Sequence, residues 1–486
     1  MSAPVAAAAA VTAATAAPVA AATAAAATAA AGAIATATAV ATAASAARRA
    51  ATGTRTAART TALPEHRLTE LDSGLRIATE AMPSVRSAAL GFFVHTGSRG
   101  ETVAEAGLSH FLEHLLFKGS DRYASAEIDQ LFDGMGAELN AGTDKESTTV
   151  YARMLDQHLP RAFDVMADMV WRPAFRDVDP EREVVLEEIA MYEDDPQDTV
   201  FDVLGEAVFG GHPLGRPIIG RAPVIRDTPV DTIAAFHARR YVPGSVVIAA
   251  AGSVDHDQIV ELASTTLELR AVDPAPPLLP APEGPRSTLQ FQRKDTEQVH
   301  VCLGAPGIAR DDERRFALRV LDNVFGGTSS SRLFQEVRER RGLAYSVYSF
   351  QSLYAATGQI GLYLGTRPDN VGRALRIVAD ELERFRDQPA TDDELERSKE
   401  NVKGRVLLAL ESTTARMNRL GSSVLANMPL LSVDEVEARI DAVTLDDVRG
   451  LAVELLAPER LSAAGIGADE SVFRAALQPV SEALAA

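Results

Sequence analysis

The sequence predicts an α+β protein made of two homologous halves, each an α/β roll with helices packed on an antiparallel sheet. Three observations carry this. Both halves run strands, then helices, then strands. The stretch YVPGSVVIAAAGSVD (241–255) has a counterpart in LAPERLSAAGIGAD (456–469), and each reads as a proline-containing turn, an apolar strand and a glycine-containing end. Between them, VDPAPPLLPAPEGPR (272–286) is rich in proline and has no periodicity, as expected of an extended linker. The expected partition is an extension over 1–64, a first half over 65–271, the linker over 272–286 and a second half over 287–486.

Taken in order, residues 1–64 are almost all Ala, Thr, Ser and Val. They carry arginines at 48, 49, 55 and 59 and no acidic residue before Glu65. With no large apolar side chains to bury, such a segment predicts disorder rather than a packed core. Its arginines and lack of acids also suit a targeting peptide, and sequence lying ahead of the true start is a third reading. HRLTELDSGLRIATEAM then alternates around an Asp-Ser-Gly turn and predicts a hairpin. SAALGFFVHTGSRGE predicts a buried strand ending in a loop. GLSHFLEHLLFKGS (107–120) has helical periodicity, with Leu108, Phe111, Leu112, Leu115 and Leu116 on one face and His110, Glu113, His114 and Phe117 on the other. GAELNAGTDKESTTVYARM (136–154) predicts a second hairpin. DPEREVVLEEIAMYEDDP (179–196) predicts a helix with Asp179 as its N-cap and Pro180 at its first position. SRLFQEVRERRGLAYSVYS (331–349) predicts an amphipathic helix with a polar face.

The bulk properties narrow the function. The chain has 486 residues and a net charge of −19, which argues against nucleic acid or anionic lipid as the main partner. No stretch is rich enough in large apolar residues to predict a membrane span. Its single cysteine, Cys302, allows neither an intrachain disulfide nor a thiolate zinc cluster. That fits a reducing compartment, so the expected location is cytoplasmic, or an organelle if the extension is a transit peptide.

The histidines are the main chemical signal. Two of the nine, His110 and His114, stand at i and i+4 on one predicted helix, so their rings can converge on one point. Zinc takes imidazole nitrogen in such a place, and Glu113 lies on the same face, where a carboxylate can hold a water. In the helix predicted over 179–196, Glu181 and Glu188 are two turns apart and share a face. Either could supply a third ligand, with Glu187 as the neighbouring competitor.

The arrangement H-x-x-E-H followed by E-x-x-x-x-x-x-E resembles the inverted-motif zinc peptidases, the family of pitrilysin, insulin-degrading enzyme and the mitochondrial processing peptidases. GSRGE, HFLEHLLFKGS and REVVLEEIAMYEDDP look most like its short bacterial members, although His114 to Glu188 is slightly shorter than in the larger relatives. The resemblance implies one zinc per chain, held by His110, His114 and Glu188. It implies Glu113 as general base and Glu181 as a carboxylate supporting the ligands. It implies that Asn140 and Ala141 pair their backbone with an extended peptide substrate, and that Arg338 and Tyr345 reach the substrate from the half opposite the zinc. Arg332, Arg340, Arg341 and Tyr348 are nearby alternatives for that last pair. Because relatives close a chamber from four similar domains and this chain supplies two, the resemblance also implies a homodimer. The expected activity is zinc-dependent endopeptidase. The rivals are a non-catalytic partner subunit of the same fold and a peptide-binding module with a structural zinc.

Overall fold

In the computed structural model the described residues are 66–266, 280–282 and 287–485. The 1–64 extension and most of the 272–286 linker lie outside them. The first half opens with strands β1 (His66–Glu70), β2 (Arg76–Ala81) and β3 (Ser87–Val94), then helices α1 (Leu108–Leu116) and α2 (Ser125–Met135). The hairpin β4 (Glu138–Thr143) and β5 (Thr148–Leu155) follows, then α3 (Leu159–Trp171), α4 (Val178–Asp194), α5 (Pro196–Phe209), α6 (Ala222–Asp227) and α7 (Val230–Arg240). Strand β6 (Val246–Gly252) and α8 (His256–Thr266) close it. The second half runs β7 (Leu289–Arg293), β8 (Val299–Gly307), α9 (Arg315–Phe325), a π-helical turn at Phe334–Glu339, β9 (Ala344–Leu353) and β10 (Gly358–Thr366). It ends with α10 (Val371–Asp387), α11 (Asp392–Ala409), α12 (Thr413–Leu425), α13 (Val433–Asp441), α14 (Leu445–Leu455), β11 (Ser462–Gly467), α15 (Glu470–Leu477) and α16 (Glu482–Ala485).

These strands form two sheets. The first is ordered β1-β2-β6-β3-β5-β4 and the second β7-β11-β8-β10-β9. Both are antiparallel except for one pair each, β2 with β6 and β11 with β7. The two closing stretches that match in sequence, at β6 and β11, take matching places beside those parallel neighbours. Both hairpins expected in the first half are present, with His66 opposite Glu80 and Thr143 opposite Thr148.

Strand β6 shows why each sheet needs cover on two faces. All seven of its residues are buried. With a period of two, Val246, Ile248 and Ala250 face one way and join the main core of the first half. Val247, Ala249 and Ala251 face the other way, against Met417, Leu420, Val424 and Leu425 of α12. That helix comes from the second half. It lies close because Gly421 has no side chain, and a Cβ there would overlap the Phe93 ring. The exchange is reciprocal: α5, from the first half, lays Val200, Leu204 and Val208 against Cys302, Tyr363, Ala464 and Ile466 of the second sheet.

Two expectations about local structure are corrected. The helix predicted over 179–196 begins at Val178 with Asp177 at its N-cap, and Asp179 lies within the first turn, paired at 3.6 Å with Arg182. Pro180 is tolerated there because the first-turn N–H groups have no helical acceptor in any case. The helix predicted over 331–349 ends after Glu339. Gly342 takes a left-handed φ of 59°, and the chain leaves as strand β9. Among the described residues, no helix is long and apolar enough to cross a membrane.

Candidate metal centre

Helix α1 starts in an unusual way. Its N-cap is Gly107, whose φ of 99° favours glycine and whose Cβ would collide with the backbone at Ile219 and Gly220. A glycine offers no capping side chain, and Glu101 of the GSRGE stretch supplies one from outside. Its Oε2 accepts the Gly107 N–H at 2.8 Å and its Oε1 the Ser109 N–H at 2.7 Å. A carboxylate at this end also answers the helix dipole. Burial pushes the Glu101 carboxyl up, against the pull of those two donors.

The apolar face of α1 is in the core, and its polar face is also withdrawn from solvent, with His110 and Glu113 only 7% and 8% exposed. Helix α4 packs across it and brings Glu188 over the two imidazoles. His114 Nε2 is 3.2 Å and His110 Nε2 3.6 Å from Glu188 Oε2. The two rings lie 4.7 Å apart, edge to face. Among the described residues, this is the one group of three or more His, Cys, Asp or Glu whose ligand atoms fall within 4.8 Å of one another. Glu187, the sequence competitor, is exposed and is not part of that group.

The donor set fits zinc: two imidazole nitrogens and one carboxylate oxygen, all electron-pair donors, aim at one small volume. The three groups also interact with one another. Burial lowers the His114 pKa, but Glu181 and Glu188 outweigh it and hold it at about 9. Burial raises that of Glu188, but His110 and His114 outweigh it and hold it at about 2. A point between these groups favours positive charge.

Glu181, two turns before Glu188, is 5% exposed and accepts from His114 Nδ1 at 2.8 Å. Lys118 Nζ lies 2.7 Å from its other oxygen. Burial raises the Glu181 pKa, but His114 and Lys118 outweigh it and hold it below the usual range. Glu113 Oε2 accepts from the Thr143 hydroxyl at 2.5 Å. Thr143 ends β4, the edge strand of the first sheet, which also carries Asn140 and Ala141. The Ala141 N–H is taken by the side-chain oxygen of Asn140 at 2.8 Å.

Arg338 and Tyr345 are brought together, but not with the histidines. The Arg338 guanidinium lies 4.6 Å from the Tyr345 ring centre and 4.7 Å from that of Phe334. Tyr345 is 71% exposed at the start of β9, the edge strand of the second sheet. The neighbouring candidates are otherwise engaged. Arg332 is held by Glu394 at 2.9 Å, Arg340 and Arg341 both bind Glu336, and Tyr348 packs on Tyr363. The sequence reading missed Thr143 and Glu101. They lie in GAELNAGTDKESTTVYARM and GSRGE, but their partners are 30 and 6–8 residues away, and no local pattern reports the contact.

Comparison with known proteins places the chain in a family. The family model described as insulinase (peptidase family M16) matches residues 76–222, which contain the whole cluster. The model described as peptidase M16 inactive domain matches 229–402. An uncharacterized zinc protease of Streptomyces coelicolor is 47% identical over 400 residues, covering 80% of this chain and 87% of the relative. One from Mycobacterium tuberculosis is 43% identical over 409 residues, covering 82% and 93%. One from Bacillus subtilis is 41% identical over 385 residues, covering 79% and 94%. On fold alone, a protease from Helicobacter pylori superimposes with a TM-score of 0.78 at 22% identity, covering 83% of this chain and 100% of that one. With two mixed sheets, the H-x-x-E-H helix and relatives of this length and identity, the chain belongs to peptidase family M16, the insulinase family of zinc proteases.

Proposed function

We propose that the chain is a zinc-dependent endopeptidase acting on extended peptides, with one zinc per chain held by His110, His114 and Glu188. The observation that carries this is the convergence of those three side chains, with Glu113 next to His114 on the same helix and 8% exposed. Zinc bound there would polarise a peptide carbonyl and acidify a water. Glu181, by accepting a hydrogen bond from the His114 Nδ1–H, selects the tautomer that offers Nε2 as a ligand. Glu113 takes the proton of the attacking water and returns it to the leaving amine. The open edge of β4 receives the peptide as an added strand, with Asn140 and Ala141 nearest it. The Asn140 side chain, now on the Ala141 N–H, gives way to the peptide carbonyl.

Metal analysis with peptide-digest mass spectrometry tests this. The parent should carry zinc and cleave peptides, and chelation should stop cleavage. Glu113→Gln should keep its zinc and lose about 10²-fold or more in rate. Full cleavage by metal-free protein would overturn the metal reading. Zinc lost from Glu113→Gln would make Glu113 a ligand.

Arg338 and Tyr345 complete the reading. They make no hydrogen bond, ion pair or ring contact with the histidines of their own chain. A homodimer would bring them from the partner to hold the substrate carbonyl and the developing oxyanion. Mixing Glu113→Gln with Tyr345→Phe should then restore activity through heterodimers with one intact site. If subunits exchange and the mixture stays as inactive as either variant, action in trans is wrong.

A further inference from the structure

We propose that Thr143 is a positioning residue that fixes the carboxylate of Glu113. The proposal rests on Glu113 acting as the base. The Thr143 hydroxyl has a single proton and three oxygens in range. These are Glu113 Oε2 at 2.5 Å, Thr148 Oγ1 at 3.3 Å and the Ser109 carbonyl at 3.5 Å. Distance assigns the proton to Glu113, within the range of an O–H donor to an ionised oxygen. Thr148 does not compete for that acceptor, because its own proton goes to the Thr96 carbonyl at 2.9 Å. One oxygen of Glu113 is thereby pinned. The other is left to take a proton from water, and the plane of the carboxylate is set by a group outside helix α1.

The support behind Thr143 is well bonded. It is the last residue of β4 and stands opposite Thr148 in the ladder. The turn between them closes with Asp144 N–H on the Ser147 carbonyl at 2.8 Å. Glu146, in that turn, is 4% exposed and gathers donors from both halves. Arg99 binds it from the first half. Arg310 reaches it at 2.7 Å and the Ala355 N–H at 3.0 Å from the second. A buried carboxylate with this many donors holds its turn in one place. The second half therefore acts on the base through a short path: Arg310 and Ala355 on Glu146, Glu146 on the turn, Thr143 on Glu113. The same strand is the edge proposed to receive the peptide, so substrate and base are registered by one element.

Full-length Thr143→Val, Thr143→Ser, Glu113→Gln and the double variant Thr143→Val with Glu113→Gln distinguish the claims. The probe is a synthetic peptide that the parent cleaves, chosen from a peptide digest by mass spectrometry. Thr143→Val keeps the shape and removes the donor. It should lower kcat about ten- to hundredfold, the range for a lost hydrogen bond to a charged group, with KM and zinc content unchanged. Thr143→Ser restores the hydroxyl and should recover most of kcat. The double variant should be no slower than Glu113→Gln alone, because Thr143 acts only through that carboxylate. Parent-like kcat in Thr143→Val, beside an inactive Glu113→Gln, would overturn the positioning role and leave the base intact. A raised KM at parent kcat would assign Thr143 to peptide binding and also overturn it. Failure of Thr143→Ser to recover would show that the methyl or the fold matters instead. A Glu113→Gln variant as active as the parent would remove the base reading itself, and this proposal with it.

Discussion

The His114 imidazole is set by Glu181. A carboxylate on Nδ1 fixes the ring, the tautomer and the basicity of Nε2. Glu181→Gln keeps the volume but weakens the acceptor and leaves Lys118 without its charge partner. Zinc affinity, measured by competition with a chelator, should fall about 10- to 100-fold with the fold intact. Unchanged affinity would show that His114 is oriented by packing alone. At this scale the spacing of the sequence is informative where candidate ligands share a helix. His110 and His114 are one turn apart, and Glu181 and Glu188 two turns, so the period of 3.6 places them before any tertiary contact is known. Sequence alone did not separate Glu188 from Glu187. Burial separates them, because only Glu188 turns inward when α4 packs on α1. Thr143 was not legible, because its partner lies on another element.

At the level of elements, α1 depends on Glu101. Its first turn offers buried N–H groups at Gly107 and Ser109, and both are answered by one carboxylate. Glu101→Gln replaces one acceptor oxygen by an amide that must face a donor. It should cost about 1–3 kcal/mol, the cost of leaving a buried donor without a partner. Because the cap starts the helix carrying His110 and His114, zinc affinity should fall along with the denaturant midpoint. A stability loss with parent zinc affinity would limit Glu101 to the fold. The elements themselves were largely readable: two hairpins, the histidine helix and the glutamate helix follow from periodicity and turn residues. The misreadings were at ends. Asp179-Pro180 has the composition of a helix start, but Val178 is drawn into the core at 2% exposure and moves the start back to Asp177. In 331–349 the helical spacing of the first residues suggests a helix to the end of the stretch, but it stops after Glu339, and the left-handed Gly342 turns the chain into β9.

For the whole molecule, the exchange of α5 and α12 decides how the halves hold together. Sequence divides the chain at the proline-rich segment, and the two sheets do fall on either side of it. Yet each sheet borrows a helix from across that segment. The signal was present in VVIAAAG, which is apolar at every position, so both faces of β6 must be covered. Nothing in the sequence says which helix covers the second face. Three features fasten α12 to the first sheet. Its apolar face closes on Ala78, Ala89, Phe93, Val247, Ala249 and Ala251. Arg416 and Arg419 both bind Glu80, which is 3% exposed. Arg76 donates to the Val424 carbonyl and to Asn427, each at 2.7 Å. Separating the halves would bare an apolar sheet face on each and strand Glu80 without its arginines. A protease site placed within 272–286 should therefore yield two fragments that stay together through size exclusion and keep the zinc. The fragment 65–271 expressed alone should aggregate or expose apolar surface to a hydrophobic dye. Gly421→Leu should loosen the cut complex, because the new side chain meets the Phe93 ring and pushes α12 off the sheet. Fragments that part on cutting, each remaining folded, would show that the exchanged helices are ornament and that the halves are independent domains.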